Sequence, residues 1–332
     1  MLHPSGRCCG PFALVALYSW VAVASAQQAP ARATSRPRQL SPGVLKVIPP
    51  ERKLGETGIG PHPLVEVTVG LPDLDWTPNF EPKTQTLLER AKGVRFRHPI
   101  WGLEFAFKPL RMIEVDVPQA PGRMQTKQVW YLVYRVKNVG YDLNPVPEEP
   151  VPGLKTSKIE LVNFPTRRFM PHFVLESLEF KKRYLDRPIP AAKGPIQRRE
   201  TPGVEIYDSV EITQIPIPLS DERTDNSVWG YVTWEDVDPR IDFFSIYVRG
   251  LTNAFTFGDP PGAYKLGDPP GTGRVFAYKT LQLNFWRPGD TLFQHEDEFR
   301  FGVPIESDTE KQQVILERYG LEQRLDYQWV YR

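Results

Sequence analysis

The residues best equipped for chemistry lie in one short run, Trp234-Glu235-Asp236-Val237-Asp238-Pro239-Arg240-Ile241-Asp242, which packs four carboxylates into eight positions. Crowded carboxylate oxygens are what calcium needs, since it takes about 6–8 oxygen ligands at about 2.3–2.6 Å. Two carboxylates also suffice for glycoside hydrolysis when they face each other across a sugar, about 5–5.5 Å apart for retention or about 6.5–9.5 Å for inversion. Trp234 beside them could stack on a pyranose face. The run also contains Arg240, and Asp-rich turns arise simply because Asp caps backbone N–H groups. A solvated or arginine-paired turn is therefore the plainer expectation, with a calcium site or a partner-binding surface as alternatives.

Other chemistry-bearing residues are more scattered. Asp221, Asp225 and Asn226 form a weaker acidic group, without the Gly and closing Glu of an EF-hand loop. His295-Glu-Asp-Glu298 lacks the second imidazole of the His-Glu-x-x-His zinc arrangement, and His62, His98 and His172 are far apart and flanked by prolines. Exposed loop histidines, not a zinc or copper site, are expected. There is no Gly-x-Ser-x-Gly elbow, no phosphate loop, no dinucleotide Gly-x-Gly-x-x-Gly and no cysteine beyond Cys9. The aromatic content suits sugar stacking, but Trp130, Trp229 and Trp286 fall inside predicted strands, which leaves Trp76 and Trp101 as the freer rings. A doubled Gly-Asp-Pro-Pro-Gly, at Gly258–Gly262 and Gly267–Gly271, reads as a long loop between strands with Tyr264 at its tip. Such a loop is either a binding finger or a purposeless duplication.

The elements that must hold these residues are strands. Val65, Val67 and Val69 alternate with polar residues, as do Ile113, Val115 and Val117. Trp130, Leu132, Tyr134 and Val136 form one parity of a central strand that ends near Asn138. Further strands are predicted at 159–163, 172–180, 204–215, 228–234, 241–251, 275–286 and 299–303. Within 275–286, Leu281, Leu283 and Phe285 should pack while Thr280, Gln282 and Asn284 face water. Most of the 35 prolines and 24 glycines punctuate the runs. Helical turns are expected at Thr84–Lys92 and after Ser307-Asp-Thr-Glu310, which has capping-box spacing. The aromatics of Leu325–Tyr331 suggest a terminal strand.

The amino terminus has a different purpose. Arg7 is the only charged residue before an apolar run from Phe12 to Val23, and Ala24-Ser25-Ala26 follows. Residues 1–26 thus read as a signal peptide, too short in its apolar part for the roughly 20 residues of a membrane span. Its removal takes both cysteines with it and leaves 40 basic against 40 acidic residues. That neutral balance does not suggest a nucleic-acid partner, and no transmembrane segment follows cleavage. Residues 27–60 read as a basic Pro/Ala/Arg-rich disordered linker.

Trp229–Asn253, Trp130–Asn138 and Asn284–Gly289 together resemble uncharacterised secreted bacterial proteins, chiefly of the planctomycete type. The resemblance implies export and brings no catalytic residues.

The fold class expected is mainly β, an antiparallel immunoglobulin-like β-sandwich with short helical additions. It would occupy residues 61–304, either as one elaborated sandwich or as two split near 199–203, with a capped helix and terminal strand in 305–332. The function expected is that of an exported, non-enzymatic protein of the periplasm, cell surface or medium that binds a protein or polysaccharide partner. Trp234, Glu235, Asp236, Asp238, Asp242 and Tyr264 would form the partner surface. No cofactor is expected beyond a calcium ion in the acidic loop. The alternative is a secreted carbohydrate-active or metal-dependent hydrolase using residues 234–242 and His295.

Overall fold

Strand alternation organises the chain, and its longest strand shows how. The strand β6 (Arg123–Lys137) buries Trp130, Leu132, Tyr134 and Val136 on one face and Val129, Tyr131 and Val133 on the other. Both faces must therefore be covered, the first by a second sheet and the second by a helix. The computed structural model describes residues 45–62, 94–120, 122–152, 154–262, 271–288 and 299–332. The expected signal peptide, the strand at Val65–Val69, the helix at Thr84–Lys92, Trp76, Tyr264 and His295 lie outside these residues.

The described chain is mainly β, with antiparallel ladders throughout. One sheet runs β1 (Lys46–Ile48), β4 (Glu104–Phe107), β6 and β13 (Val228–Glu235), with β5 (Arg111–Gln119) paired to the first half of β6. The other runs β11 (Lys182–Leu185), β10 (His172–Ser177), β14 (Phe243–Arg249), β16 (Val275–Trp286) and β15 (Phe255–Gly258), with β17 (Arg300–Phe301) and β18 (Tyr327–Tyr331) also on β16. Three two-stranded pairs complete the described set: β2 (Gly58–His62) with β3 (Val94–Arg97), β7 (Asp142–Val151) with β8 (Leu154–Val162), and β9 (Thr166–Arg167) with β12 (Ile217–Pro218).

The two large sheets share one apolar core. Phe105 meets Phe173 at 6.3 Å between ring centroids, Phe107 meets Phe285 at 5.9 Å, and Trp130 meets Phe244 at 5.4 Å. The outer face of the first sheet is covered by α1 (Pro190–Glu200), whose Ala192 and Ile196 pack on Val115, Val117, Tyr131 and Val133. Against the second sheet, α2 (Thr309–Glu317) and the turn after it bring Leu316, Tyr319 and Leu321 together with Val303 and Phe243.

Several expectations are corrected. The point near 199–203 that reads as a possible domain boundary is the end of α1, a helix hidden in the sequence because Gly194-Pro195 interrupts it. The strand expected at 204–215 is instead a loop with a 3₁₀ turn at Glu211–Gln214. The linker expected through residue 60 gains structure from Lys46 onward, because β1 pairs with β4 and the Lys279 ammonium binds Glu56 at 2.6 Å and the Glu51 carbonyl at 2.9 Å. The cap of α2 is Asp308, one residue after Ser307, its carboxylate accepting from the Glu310 and Lys311 N–H groups. The polar parity of β16 is not wet. Thr280, Gln282 and Asn284 are buried, and Asn284 accepts from Ser245 at 2.7 Å and Gln282 at 3.0 Å while donating to the Leu325 carbonyl at 2.7 Å.

Tyr134 and Gly230 form the tightest approach in the first sheet. They are cross-strand partners, and a Cβ at Gly230 would lie 2.5 Å from the tyrosine ring. The Tyr134 hydroxyl is buried with no hydrogen-bond partner. Gly230→Ala should therefore lower unfolding free energy by about 1–3 kcal/mol. Tyr134→Phe should leave it unchanged or raised, because it removes an unpaired polar group. Urea unfolding monitored by tryptophan fluorescence checks both.

Candidate functional site

The acidic run leaves β13 at Glu235 and turns sharply at Asp236, whose φ of +54° is left-handed. Its carboxylates do not converge on a common ligand; Glu235 and Asp236 share one lysine, and Asp238 and Asp242 go to separate cations. Glu235 pairs with Lys127 at 3.3 Å and with Arg187, and Asp236 meets the same Lys127 at 2.9 Å. Asp238 pairs with Lys182 at 2.7 Å and Arg240 at 2.8 Å. Asp242 pairs with Arg287 at 3.2 Å, and that guanidinium also donates to the Pro239 carbonyl. Five cationic side chains thus surround four carboxylates.

This electrostatic setting decides what the loop can do. Hydrogen bonds from Arg240 and then Lys182, with a further one from the Arg240 backbone N–H, hold the Asp238 carboxyl well below the usual carboxylate range. A carboxylate so strongly favoured in its ionised form is a poor general acid, and its lone pairs are already taken. Trp234, expected on the partner surface, is 0% exposed and belongs to the core. Its parity on β13 turns it inward with Val232, away from the outward-facing Glu235. Among the described residues no three His, Cys, Asp or Glu side chains are placed to share a metal ion. His98 packs on Phe255 at 5.7 Å, His172 stands opposite Arg249 in the β10–β14 ladder, and burial lowers both imidazole pKa values. Asp221 accepts from the Arg223 and Thr224 N–H groups, and Asp225 pairs with Arg135 and Lys137, so neither is arranged as a cation ligand.

Two clusters escaped the sequence. The first is Glu200, 1% exposed at the end of α1, which accepts from the Tyr131 hydroxyl at 2.7 Å and lies 3.4 Å from Arg111 and 3.9 Å from Lys108. Burial lowers the Lys108 pKa, and burial with the Glu200 charge raises that of Tyr131. Lys108 also donates to the Glu200 carbonyl, so the cluster caps the helix C-terminus with positive charge and pins it to the sheet. Its members are far apart in sequence and meet only once α1 is formed.

The second is an aromatic ribbon. In β15 and the start of β16, Phe255 stands opposite Tyr278 and Phe257 opposite Phe276, so all four rings share one face. Their centroids are 5.8 Å apart for Phe255 and Phe276, 6.0 Å for Phe257 and Phe276, and 6.5 Å for Phe276 and Tyr278. Phe276 is 48% and Tyr278 43% exposed. Arg274 lies over Phe257 at 3.8 Å while pairing with Asp259 at 2.7 Å, and Arg249 lies over Tyr278 at 5.1 Å. The opposite face of the ribbon, with Val275, Ala277 and Pro260, borders an open groove of about 450 Å³. The first Gly-Asp-Pro-Pro-Gly begins at the last residue of β15, so the doubled motif springs from this ribbon. The sequence signal was present in the Phe255-Thr-Phe257 and Phe276-Ala-Tyr278 alternation, but nothing in it told exposure from burial.

The remaining tryptophans divide by position. Trp130 is buried, whereas Trp101, Trp229, Trp286 and Trp329 are half-buried, with Arg167, Lys108, Arg300 and Lys279 over their respective rings. Comparison of the chain with protein-family models, with curated proteins and with solved structures finds no match.

The depressed Asp238 pKa has a stability consequence with a definite sign. Its contribution is present above the ordinary carboxylate value of about 4 and is lost as pH falls from there through the folded-state value. Asp238→Asn should accordingly be less stable than the parent at pH 7, with the difference closing on acidification below pH ~4. Urea midpoints of the two proteins measured across that range check this. A constant difference at every pH would show that the ion pairs contribute nothing.

Proposed function

We propose that this is an exported, non-enzymatic protein of the cell envelope or surface, an immunoglobulin-like β-sandwich that binds polysaccharide along the aromatic ribbon. The observation that carries the reading is the exposure of Phe276 and Tyr278 on a rigid two-stranded support, backed by Phe255 and Phe257. Phe276 offers its exposed ring to the C–H face of a sugar, while Arg249 over Tyr278 and Arg274 over Phe257, with Asp259 beside it, supply partners for hydroxyl groups. A ribbon four residues long and two strands wide suits one extended chain. It is narrow for a protein interface, which buries about 1,200–2,000 Å² in total.

Support for export comes from the Arg7, Phe12–Val23 and Ala24-Ser-Ala26 pattern and from the resemblance to secreted bacterial proteins. The non-enzymatic reading follows from the acidic run, whose carboxylates are individually neutralised by Lys127, Arg187, Lys182, Arg240 and Arg287. Two sheets facing each other over one core, with loops at their ends, support the sandwich.

Co-sedimentation with insoluble cellulose, chitin and peptidoglycan tests the proposal. The secreted protein should sediment with at least one of them, and the Phe276→Ala, Tyr278→Ala double variant should lose about tenfold or more in affinity while Asp236→Ala binds normally. Binding to none, or binding indifferent to the double variant, overturns it. Release of reducing sugar that disappears in Asp236→Ala would install the hydrolase in its place. Amino-terminal sequencing of the secreted product should begin just after Ala26.

A further inference from the structure

The β7–β8 pair is an arm. It belongs to neither large sheet, and ten residues at about 3.3 Å each extend it about 30 Å from its root. At the root, Ile100 and Leu143 exchange both backbone hydrogen bonds, at 2.8 and 2.9 Å. In an antiparallel strand the N–H and C=O of one residue point to the same side, and successive residues alternate. The odd residues of β7 therefore direct their polar groups away from β8. Pro145 and Pro147 occupy the next two odd positions, so this edge presents no N–H there and cannot accept a further strand.

The other edge of the arm lacks that protection. The even residues of β8 pair with β7, as in Asn144 with Glu160 and Val146 with Lys158. Ser157, Ile159 and Leu161 thus direct their N–H and C=O groups outward, and among the described residues no strand pairs with them. Leu161 is 65% exposed beside them. Open strand edges of this kind are normally blocked by proline, charge or a bulge. Here one edge carries two prolines, whereas the other carries no proline and two exposed charges of opposite sign, Lys158 and Glu160, which can complement a second copy instead of repelling it.

We propose that the outer edge of β8 pairs with the same edge of a second copy of this chain, antiparallel about a two-fold axis through Ile159, to join two arms into one four-stranded sheet. Charge fixes this register. With the axis at Ile159, Lys158 of each copy stands opposite Glu160 of the other, so the pair that these two side chains form within one chain at 3.3 Å, open to solvent at 60% and 47%, joins its counterpart in a cluster of four alternating charges. Moving the axis to residue 158 would set Lys158 against Lys158, and moving it to 160 would set Glu160 against Glu160. The Ile159 axis also gathers Ile159 and Leu161 of both copies on one face, covering the exposed leucines.

Sedimentation velocity of the full secreted protein over a concentration series is the test. A reversible dimer is expected. Ser157→Pro removes one outward N–H at a position whose cross-strand neighbour is already Pro147, so it should weaken dimerisation about tenfold or more while leaving the circular dichroism spectrum unchanged. Lys158→Glu and Glu160→Lys should each be monomeric alone, because each sets like charges opposite one another, and should form a heterodimer when mixed in equal amounts. A protein that stays monomeric at its highest soluble concentration overturns the proposal. So does a dimer indifferent to Ser157→Pro, or a mixture of the two charge variants that fails to associate.

Discussion

Everything described hangs on the meeting of aromatic rings between the two large sheets. Phe105, Phe107, Trp130 and Tyr134 from the first sheet interleave with Phe173, Phe244 and Phe285 from the second, and Phe299 and Phe301 fill beside them. Burying a side chain of this size contributes about 1.5–3 kcal/mol, and ring pairs add about 0.5–1.5 kcal/mol beyond the area removed from water. With both cysteines confined to positions 8 and 9, this burial carries the cohesion that small exported domains commonly draw from disulfides. It also fixes each strand's register, since a one-residue slip would turn Trp130 and Tyr134 out of the core.

A core of that kind forces decisions about the outer faces. On the second sheet the outer face is polar, and Ser245, Gln282, Asn284 and Gln328 satisfy one another and the backbone at Tyr319 and Leu325. The C-terminal segment is thereby docked by hydrogen bonds as well as by Tyr319 and Leu321. On the first sheet the outer face is apolar and needs α1, whose end is held by Glu200 among Lys108, Arg111 and Tyr131. Buried polar groups left unpaired would cost about 1–3 kcal/mol each, so these networks specify where each cover sits.

What could be read from the sequence follows from the same physics. Strands with one apolar parity announce themselves by alternation, and β5, β6, β13 and β16 were legible because Val, Trp, Tyr and Leu recur at every second position, although alternation did not reveal that the second face of β6 and of β16 is buried as well. The helix α1 was not, because Gly194 and Pro195 break its pattern and the sheet beneath, not local propensity, stabilises it. β7 was obscured by Pro145, Pro147 and Pro150, which read as loop until the partner strand shows that the first two face outward. Trp234 looked like part of a surface because it precedes an acidic turn; its parity, shared with Val232, decided otherwise. The acidic turn itself was legible as an arginine-paired turn, and Arg240 does pair with Asp238, but the cations from outside the run were not legible, since Lys127, Lys182 and Arg287 come from three other elements.

The surface features that remain are the informative ones. Two edges of the large sheets are closed: β13 is covered by the bridge from Tyr207 to Gly230 and by the Arg187 N–H on the Thr233 carbonyl, and β11 at the far edge carries Lys182 and Arg183. Beside these closed edges and neutralised carboxylates, the aromatic face of β15–β16 and the outer edge of β8 stand open among the described residues. Folding alone requires neither, since the core is complete without Phe276 or Leu161. Exposed apolar and hydrogen-bonding surface on a folded protein invites non-specific association. Where β13 is sealed by a bridging loop and the β7 edge by proline, an aromatic face and a strand edge left open are the places at which a partner can meet the chain.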